Sequence, residues 1–208
     1  MKDGGEVQTV GLAITGASGA IYGFRLLHHL LAAGTEVHLT ISDAARIVFR
    51  EELLLDLPED MAGLQAFLRQ ALQVEKGRLA CYGVQDWYSP LASGSNAPGA
   101  LVVCPCSGGT LASIAQGLSG NLVERAADVM LKEGKKLVLV PRETPVSAIH
   151  LENMLKLSRL GVAILPASPG FYDHPRSVED LVDFVLARVL DQLGISRTAG
   201  PRWGATRP

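Results

Sequence analysis

A single α/β domain, a three-layer doubly wound and mainly parallel sheet, is the fold class that this sequence predicts, and three observations carry the prediction. The apolar run Val10, Gly11, Leu12, Ala13, Ile14 breaks into Thr15, Gly16, Ala17, Ser18, Gly19. It resumes at helical spacing through Ile21, Phe24, Leu27 and Leu30, which reads as a buried strand, a small-residue turn and a helix. The same pattern returns where residues 100–104 lead into Pro105, Cys106, Ser107, Gly108, Gly109, Thr110 and a helix from Leu111. Short apolar strands then alternate with helices over the whole length, as in parallel sheets of the Rossmann or flavodoxin-like kind. In such sheets ligands bind at the carboxyl ends of strands where the winding direction reverses, so both turns are expected on that edge.

The remaining elements follow in order. Residues 36–41 form a second strand ending at Ser42, and residues 44–55 a helix closed by Pro58. An amphipathic helix over 59–74 carries the stripe Met61, Leu64, Phe67, Leu68, Leu72. Residues 77–87 are ambiguous, and 89–99 (SPLASGSNAPG) read as a loop. A helix over 122–132 places Arg125 and Lys132, seven apart, on one face. A strand over 137–140, a helix over about 147–160, a strand over 162–165 and a last helix over 178–193 complete the domain, taken as residues 1–194. Residues 195–208 are a polar tail with Trp203 isolated in PRWG.

The two turns carry the first functional signal. Glycines there let a ligand approach the backbone, and the free amides and positive dipole end of the following helix favour a phosphate. Ser18 adds a hydroxyl that can cap or donate. The dinucleotide fingerprint is absent, because Ala20 and Tyr22 stand where its short-chain variants need glycine. The second strand ends in Ser42 and not in the acid that an NAD ribose requires, with Asp43 one step late at the start of the next helix. NAD is therefore disfavoured and a mononucleotide such as FMN is favoured. Arg142 and Glu143, at the end of the strand over 137–140, put a fixed cation and a proton carrier on the same edge. His150 reads as a packed or capping residue with no assigned role.

Nearly half of the 208 residues are apolar (48%), enough for one ordinary core, and 19 basic against 21 acidic residues leave a formal charge of -2. That balance points to neither nucleic acid nor an anionic membrane as partner. With no signal-like segment and no apolar run of about 18 residues, a cytoplasmic protein is expected. Three cysteines fit free thiols, and Cys104 and Cys106, one residue apart, are poor zinc ligands and read as buried structural thiols; no metal is expected.

Taken together, TGASGAIYG, CPCSGGTL, ERAADVMLKE, VPRETP, HLENMLKLS, PGFY and SVEDLVDFVLARVLDQLGI resemble the flavin prenyltransferases of the UbiX type, relatives of the homo-oligomeric flavin-containing Cys decarboxylases. The resemblance covers nearly the whole chain. It implies FMN as ligand, dimethylallyl monophosphate as donor, and a product, prenylated FMN, destined for a decarboxylase of the UbiD type. By the same resemblance the FMN contacts fall on Gly16, Ala17, Ser18, Ser42, Ser107, Gly108, Gly109, Thr110 and Arg142. The donor phosphate falls to Arg125, Lys132, Arg142, Tyr172 and Arg188. Glu52 matches an active-site glutamate contributed across a subunit interface, in an oligomer that the family makes a dodecamer. The residue after Phe171 and Tyr172 departs from the family, with Asp173 there and His174 one later, and neither receives a role.

These residue types suit the chemistry. Cleaving an allylic C–O bond to release phosphate needs cations on the leaving group, which Lys132, Arg142 and Arg188 can supply with the Tyr172 hydroxyl. Aromatic faces, Trp87 or Trp203 among them, can shelter the allyl cation. Glu143 is the first candidate for proton transfer, with Ser18 orienting beside the flavin N5 and Glu52 and Lys132 as further catalytic groups. An FMN-dependent cysteine-type decarboxylase and a non-catalytic flavin-binding accessory subunit are the competing readings; neither needs so many cations beside carboxylates.

Overall fold

The chain enters the sheet with β1 (Thr9–Ile14), whose residues from Val10 on are fully buried on both faces, as its unbroken apolar run requires. In this computed structural model, which describes residues 8–172 and 174–196, β1 is followed by α1 (Ala20–Ala32), β2 (Glu36–Ile41), α2 (Asp43–Leu53), α3 (Met61–Leu72) and β3 (Arg78–Tyr82). A single 3-10 turn, Pro90–Ala92, precedes β4 (Ala100–Cys106), α4 (Gly108–Ala115), α5 (Leu122–Lys132), β5 (Lys136–Pro141), α6 (Ala148–Arg159), β6 (Ala163–Ile164) and α7 (Val178–Leu193).

The six strands run in the order β3-β2-β1-β4-β5-β6, all pairs parallel. The winding direction reverses between β1 and β4, so the two small-residue turns end adjacent strands. Two cores flank the sheet. Helices α1, α2, α3 and α7 bury Leu26, Leu30, Phe49, Leu68 and Leu186 on one face. Helices α4, α5 and α6 bury Leu111, Ile114, Met130 and Leu157 on the other. Each such side chain contributes roughly 1.5 to 3 kcal/mol by leaving water.

In β4, alternate residues Ala100, Val102 and Cys104 face the first core, and Leu101 and Val103 the second. Cys106 also joins the second core, against strict alternation, because the register to β5 shifts between Val103 and Cys106. Both thiols are fully buried, and burial pushes Cys106 up to about 12.

The ambiguous stretch after residue 77 is the edge strand β3; paired on one side only, its residues are mostly half-buried and carry a weak apolar pattern. Helix α2 stops at Leu53, because Leu54 adopts a left-handed φ of 55° and Pro58 lies beyond the helix. Helix α3 spans its apolar stripe and is shorter than the expected 59–74: Asp60 caps it, accepting from Gly63 N at 2.7 Å, and Gln73 (φ 52°) ends it. Asp43 opens α2, as expected, behind the Ser42 cap. The last helix spans Val178–Leu193, begun by a Ser177 and Asp180 capping box and ended by Gly194. Ile195 still packs into the core, 5% exposed, one residue past the expected end of the domain.

Helices α1 and α7 are tied by charge. Arg25 Nε and Nη2 donate to the two carboxylate oxygens of Asp183 at 2.7 and 2.5 Å, and His29 Nε2 lies 3.1 Å from Oδ1. Burial would raise the Asp183 carboxyl, but the hydrogen bonds from His29 and Arg25 and their charges outweigh it and hold it well below the usual carboxylate range. A group so depressed adds stability that is present above the unfolded-state pKa of about 4 and is lost as pH falls below it. The pair is about one-third exposed, so Asp183→Asn is expected to cost about 1 kcal/mol after solvent screening, or roughly 2 to 4 °C in Tm. The difference from wild type, read by thermal denaturation, should be full at pH 7 and shrink steadily below pH 4.

Candidate FMN site at the switch point

Two backbone turns make the site, and one side chain joins them. Thr15, 2% exposed, lies at the end of β1, and its backbone N–H donates to the carbonyl of Pro105 at 3.2 Å. Its hydroxyl donates to the same carbonyl at 2.8 Å and accepts from Ser107 N at 2.8 Å. The first turn is thus fastened to the second at the switch point.

Around the first turn, packing dictates glycine. A Cβ on Gly16 would lie 2.5 Å from the Ala44 Cβ, so glycine lets α2 begin directly against the turn. Gly19 opens α1 with a φ of 105°. Ser42 N–H donates to the Ile14 carbonyl, and its Oγ accepts from Ala45 N at 3.2 Å, which places the end of β2 beside the same turn.

At the α1 N-terminus the Glu52 carboxylate accepts from Gly19 N at 2.8 Å and from Ala20 N at 2.9 Å. Burial pushes this carboxyl up, but hydrogen bonds from Ser18, Gly19 and Ala20 and the charge of Arg142 pull it below its ordinary value. Glu52 therefore meets the first turn of its own chain. Helix α2 runs past the start of α1 and delivers its last turn there, so within the single chain Glu52 reaches this turn without a neighbouring subunit.

The second turn is capped by Ser107, whose Oγ accepts from Thr110 N at 3.3 Å and donates to Thr110 Oγ1 at 3.0 Å. Arg142, just past β5, donates its backbone N–H to the Cys106 carbonyl at 3.4 Å. Its Nε is buried and has no hydrogen-bond partner. A buried guanidinium N–H without an acceptor between two helix N-termini suits an anionic, oxygen-rich ligand, and FMN supplies one. Gly16, Ala17, Ser18, Ser42, Ser107, Gly108, Gly109, Thr110, Arg142 and Glu52 thus come together. Glu143 follows Arg142, exposed, with Oε1 accepting from Thr144 N at 3.1 Å. Tyr172 lies in the loop after β6, its ring edge-on to Phe184 at 5.3 Å.

The expected phosphate cations do not gather there. Lys132 ends α5, four residues before β5 begins, on the edge where strands start; Arg142 lies past the far end of β5, roughly 20 Å along the sheet. Lys132 Nζ contacts Glu133 at 2.5 Å. Arg188 is ten residues into α7, roughly 15 Å from the helix start. It pairs with Asp191 at 2.9 Å, and its side chain is 57% exposed. Its position on α7 is a solvent-facing one. Arg125 donates to the Ala92 carbonyl and to Asp128, at 3.2 and 2.9 Å. Trp87 is 43% exposed in the loop after β3, and Trp203 lies outside the described residues, as does Asp173.

Thr15 escaped sequence reasoning as a site residue, whereas His150 takes one of the two places expected of it. Thr15 was legible as the polar residue that closes an apolar strand. His150 proves to be a capping residue: Ser147 N donates to its Nδ1 at 3.2 Å, and Ser147 Oγ accepts from His150 N at 3.2 Å. Among the described residues no cluster of three or more His, Cys, Asp or Glu could hold a metal, and no helix is long and apolar enough to cross a membrane.

A doubly wound sheet with two fastened anion-binding turns and an arginine whose Nε is buried at its switch point defines a mononucleotide-binding α/β protein. The chain belongs to the Flavoprotein family, whose model matches residues 2–190, and within it to the flavin prenyltransferases of the UbiX type. It is 56% identical over 197 residues to the flavin prenyltransferase UbiX of Pseudomonas aeruginosa, covering 95% of this chain and 94% of that one. It is 50% identical to UbiX of Halalkalibacterium halodurans, covering 97% and 95%. Among solved structures it resembles AnUbiX (PadA1) in complex with FMN and dimethylallyl pyrophosphate (TM-score 0.78, 37% identity, 94% of this chain and 100% of that one). It is also similar to a dodecameric FMN-dependent UbiX-like decarboxylase from Escherichia coli O157:H7 (TM-score 0.79, 42% identity, 93% and 99%). More distant PPC decarboxylase structures, at 19% identity, share the fold.

If Thr15 sets the spacing of the two turns, Thr15→Val removes both hydroxyl hydrogen bonds and leaves Ser107 N without its acceptor. Flavin fluorescence quenching should then show FMN affinity falling about tenfold, while Thr15→Ser, which keeps the hydroxyl, stays within about threefold of wild type.

Proposed function

We propose that this protein transfers a dimethylallyl group from dimethylallyl monophosphate to N5 and C6 of reduced FMN, releasing phosphate. The observation that carries this reading is the meeting of Arg142, Glu52 and Ser18 at two fastened turns, in a chain 56% identical to a flavin prenyltransferase. When bound, reduced FMN supplies the nucleophilic N5 and C6. The chain's own residues do the rest. Ser107, Gly108, Gly109 and Thr110 and the first turn hold the flavin, with Arg142 spanning flavin and donor. Ser18 orients a proton beside N5, and Glu143 carries one during ring closure. Tyr172, Lys132, Arg125 and Arg188 bind the leaving phosphate.

Because Lys132 and Arg188 stand away from Arg142 in one chain, we assign them to the site of a neighbouring subunit in a homo-oligomer. The dodecameric assembly of a UbiX-like relative supports that assignment. The product then passes to a decarboxylase of the UbiD type, in a cytoplasm that keeps the free thiols reduced. Side chains, and not a metal, hold the phosphate.

The test is incubation with FMN, a reductant and dimethylallyl monophosphate, followed by mass spectrometry of the flavin. A gain of one dimethylallyl unit is expected, undiminished by EDTA. Glu143→Gln should retain FMN and slow product formation roughly 100- to 10,000-fold. Lys132→Ala and Arg142→Ala should each be inactive alone yet recover part of the activity when co-expressed, since mixed oligomers contain some intact sites. No recovery would place both residues in one subunit's site.

A further inference from the structure

The second turn holds a donor that the sequence motif does not predict. His150 is the third residue of α6, in the position that glutamate or glutamine usually takes in a capping box. Because its Nδ1 accepts the Ser147 N–H, that nitrogen carries no proton, and in the neutral ring the proton sits on Nε2. The helix cap thus fixes the tautomer as well as the ring plane.

Nε2 points at the start of α4. A Cβ added to Gly108 would come within 2.8 Å of His150 Nε2 and within 3.3 Å of its Cδ2. Gly108 carries no positive-φ requirement, so the need for glycine there is the room taken by the imidazole. Nε2 makes no hydrogen bond to any described residue. It stands beside Gly108 in the Ser107 to Thr110 turn, with the buried, unpartnered Nε of Arg142 on the neighbouring strand end.

We propose that His150 is a phosphate-binding residue of this site, its Nε2–H donating to the phosphate monoester seated on the second turn. The proposal rests on the flavin reading above and adds to it a neutral donor presented by α6. Its consequence is a link between α6 and the ligand: when the phosphate is bound, the first turn of α6 is held against α4.

His150→Glu is the decisive variant. Glutamate, a usual third residue of a capping box, still accepts the Ser147 N–H, so the cap and the folding stability are kept, and it has no N–H to offer beside Gly108; His150→Gln, which keeps an amide donor, is expected to lose less. FMN affinity is expected to fall about ten- to hundredfold by fluorescence quenching, with riboflavin affinity, which involves no phosphate, within about twofold of wild type. If FMN affinity holds and the KM for dimethylallyl monophosphate alone rises by that factor, the phosphate that His150 meets is the donor's. Unchanged FMN affinity together with unchanged KM overturns the proposal, as do equal losses for FMN and riboflavin. A wild-type protein that binds riboflavin and FMN equally weakly would instead overturn the flavin reading itself.

Discussion

The hydroxyl of Thr15 is the interaction on which the site depends. In a doubly wound sheet the switch point is a gap between two strand ends that diverge into helices on opposite faces. Nothing in the ladder itself fixes the distance between the two turns beyond the last paired residues, Ala13 and Val103. Thr15 closes that gap with a donor bond to Pro105 O and an acceptor bond from Ser107 N. Both are available because the register shift in β4 swings the chain after Val103, so that Cys106 changes face and the Pro105 carbonyl meets β1. A valine of the same shape would leave the Ser107 N–H without its acceptor and the Pro105 carbonyl with the backbone donor alone, which is why a threonine ends this strand.

From that joint the electrostatics follow. Two helix N-termini converge on one edge, each presenting amides with no intrahelical partner, and the chain answers one of them itself. Glu52 occupies the start of α1 in the way an anionic ligand would, accepting from two amides. Its depressed pKa keeps it charged at neutral pH, where it also faces Arg142. The start of α4 is answered by the Ser107 hydroxyl, which leaves the remaining amides and Arg142 Nε to a ligand. Fixed donors of this kind need little reorganisation when charge develops on a leaving phosphate.

Much of this was legible in the sequence, because each strand buried on both faces wrote a continuous apolar run and each ligand turn wrote a cluster of small residues. β1 and β4 were legible for that reason, and so were the two turns that follow them. What sequence could not show was governed by long-range geometry. β3 has one neighbour and half-buried residues, so its pattern is weak. The glycines at 16 and 108 looked like phosphate-cradling residues, yet their nearest constraints are Ala44 and His150, both from later elements. Lys132 and Arg188 read as site residues by motif alone. Their positions along α5 and α7 depend on where those helices begin, and the helices carry them away from Arg142.

That separation has an energetic logic. Each displaced cation sits beside an acid one or three residues away: Lys132 with Glu133, Arg125 with Asp128, Arg188 with Asp191. These pairs are a third or more exposed at the cation, and such pairs stabilise by only about 0 to 1 kcal/mol. They neutralise the cations in a lone chain without committing them. A charge-assisted hydrogen bond to a phosphate in a dry interface contributes roughly 1.5 to 3 kcal/mol, enough to draw a cation from its local partner. The ligand edge of one chain, by contrast, sets Arg142 against Glu52 and Glu143 and has little net positive charge with which to hold a dianion. Under the proposed reading, phosphate affinity appears only when a neighbour's cations arrive, so assembly of the oligomer and competence to bind the donor become the same event.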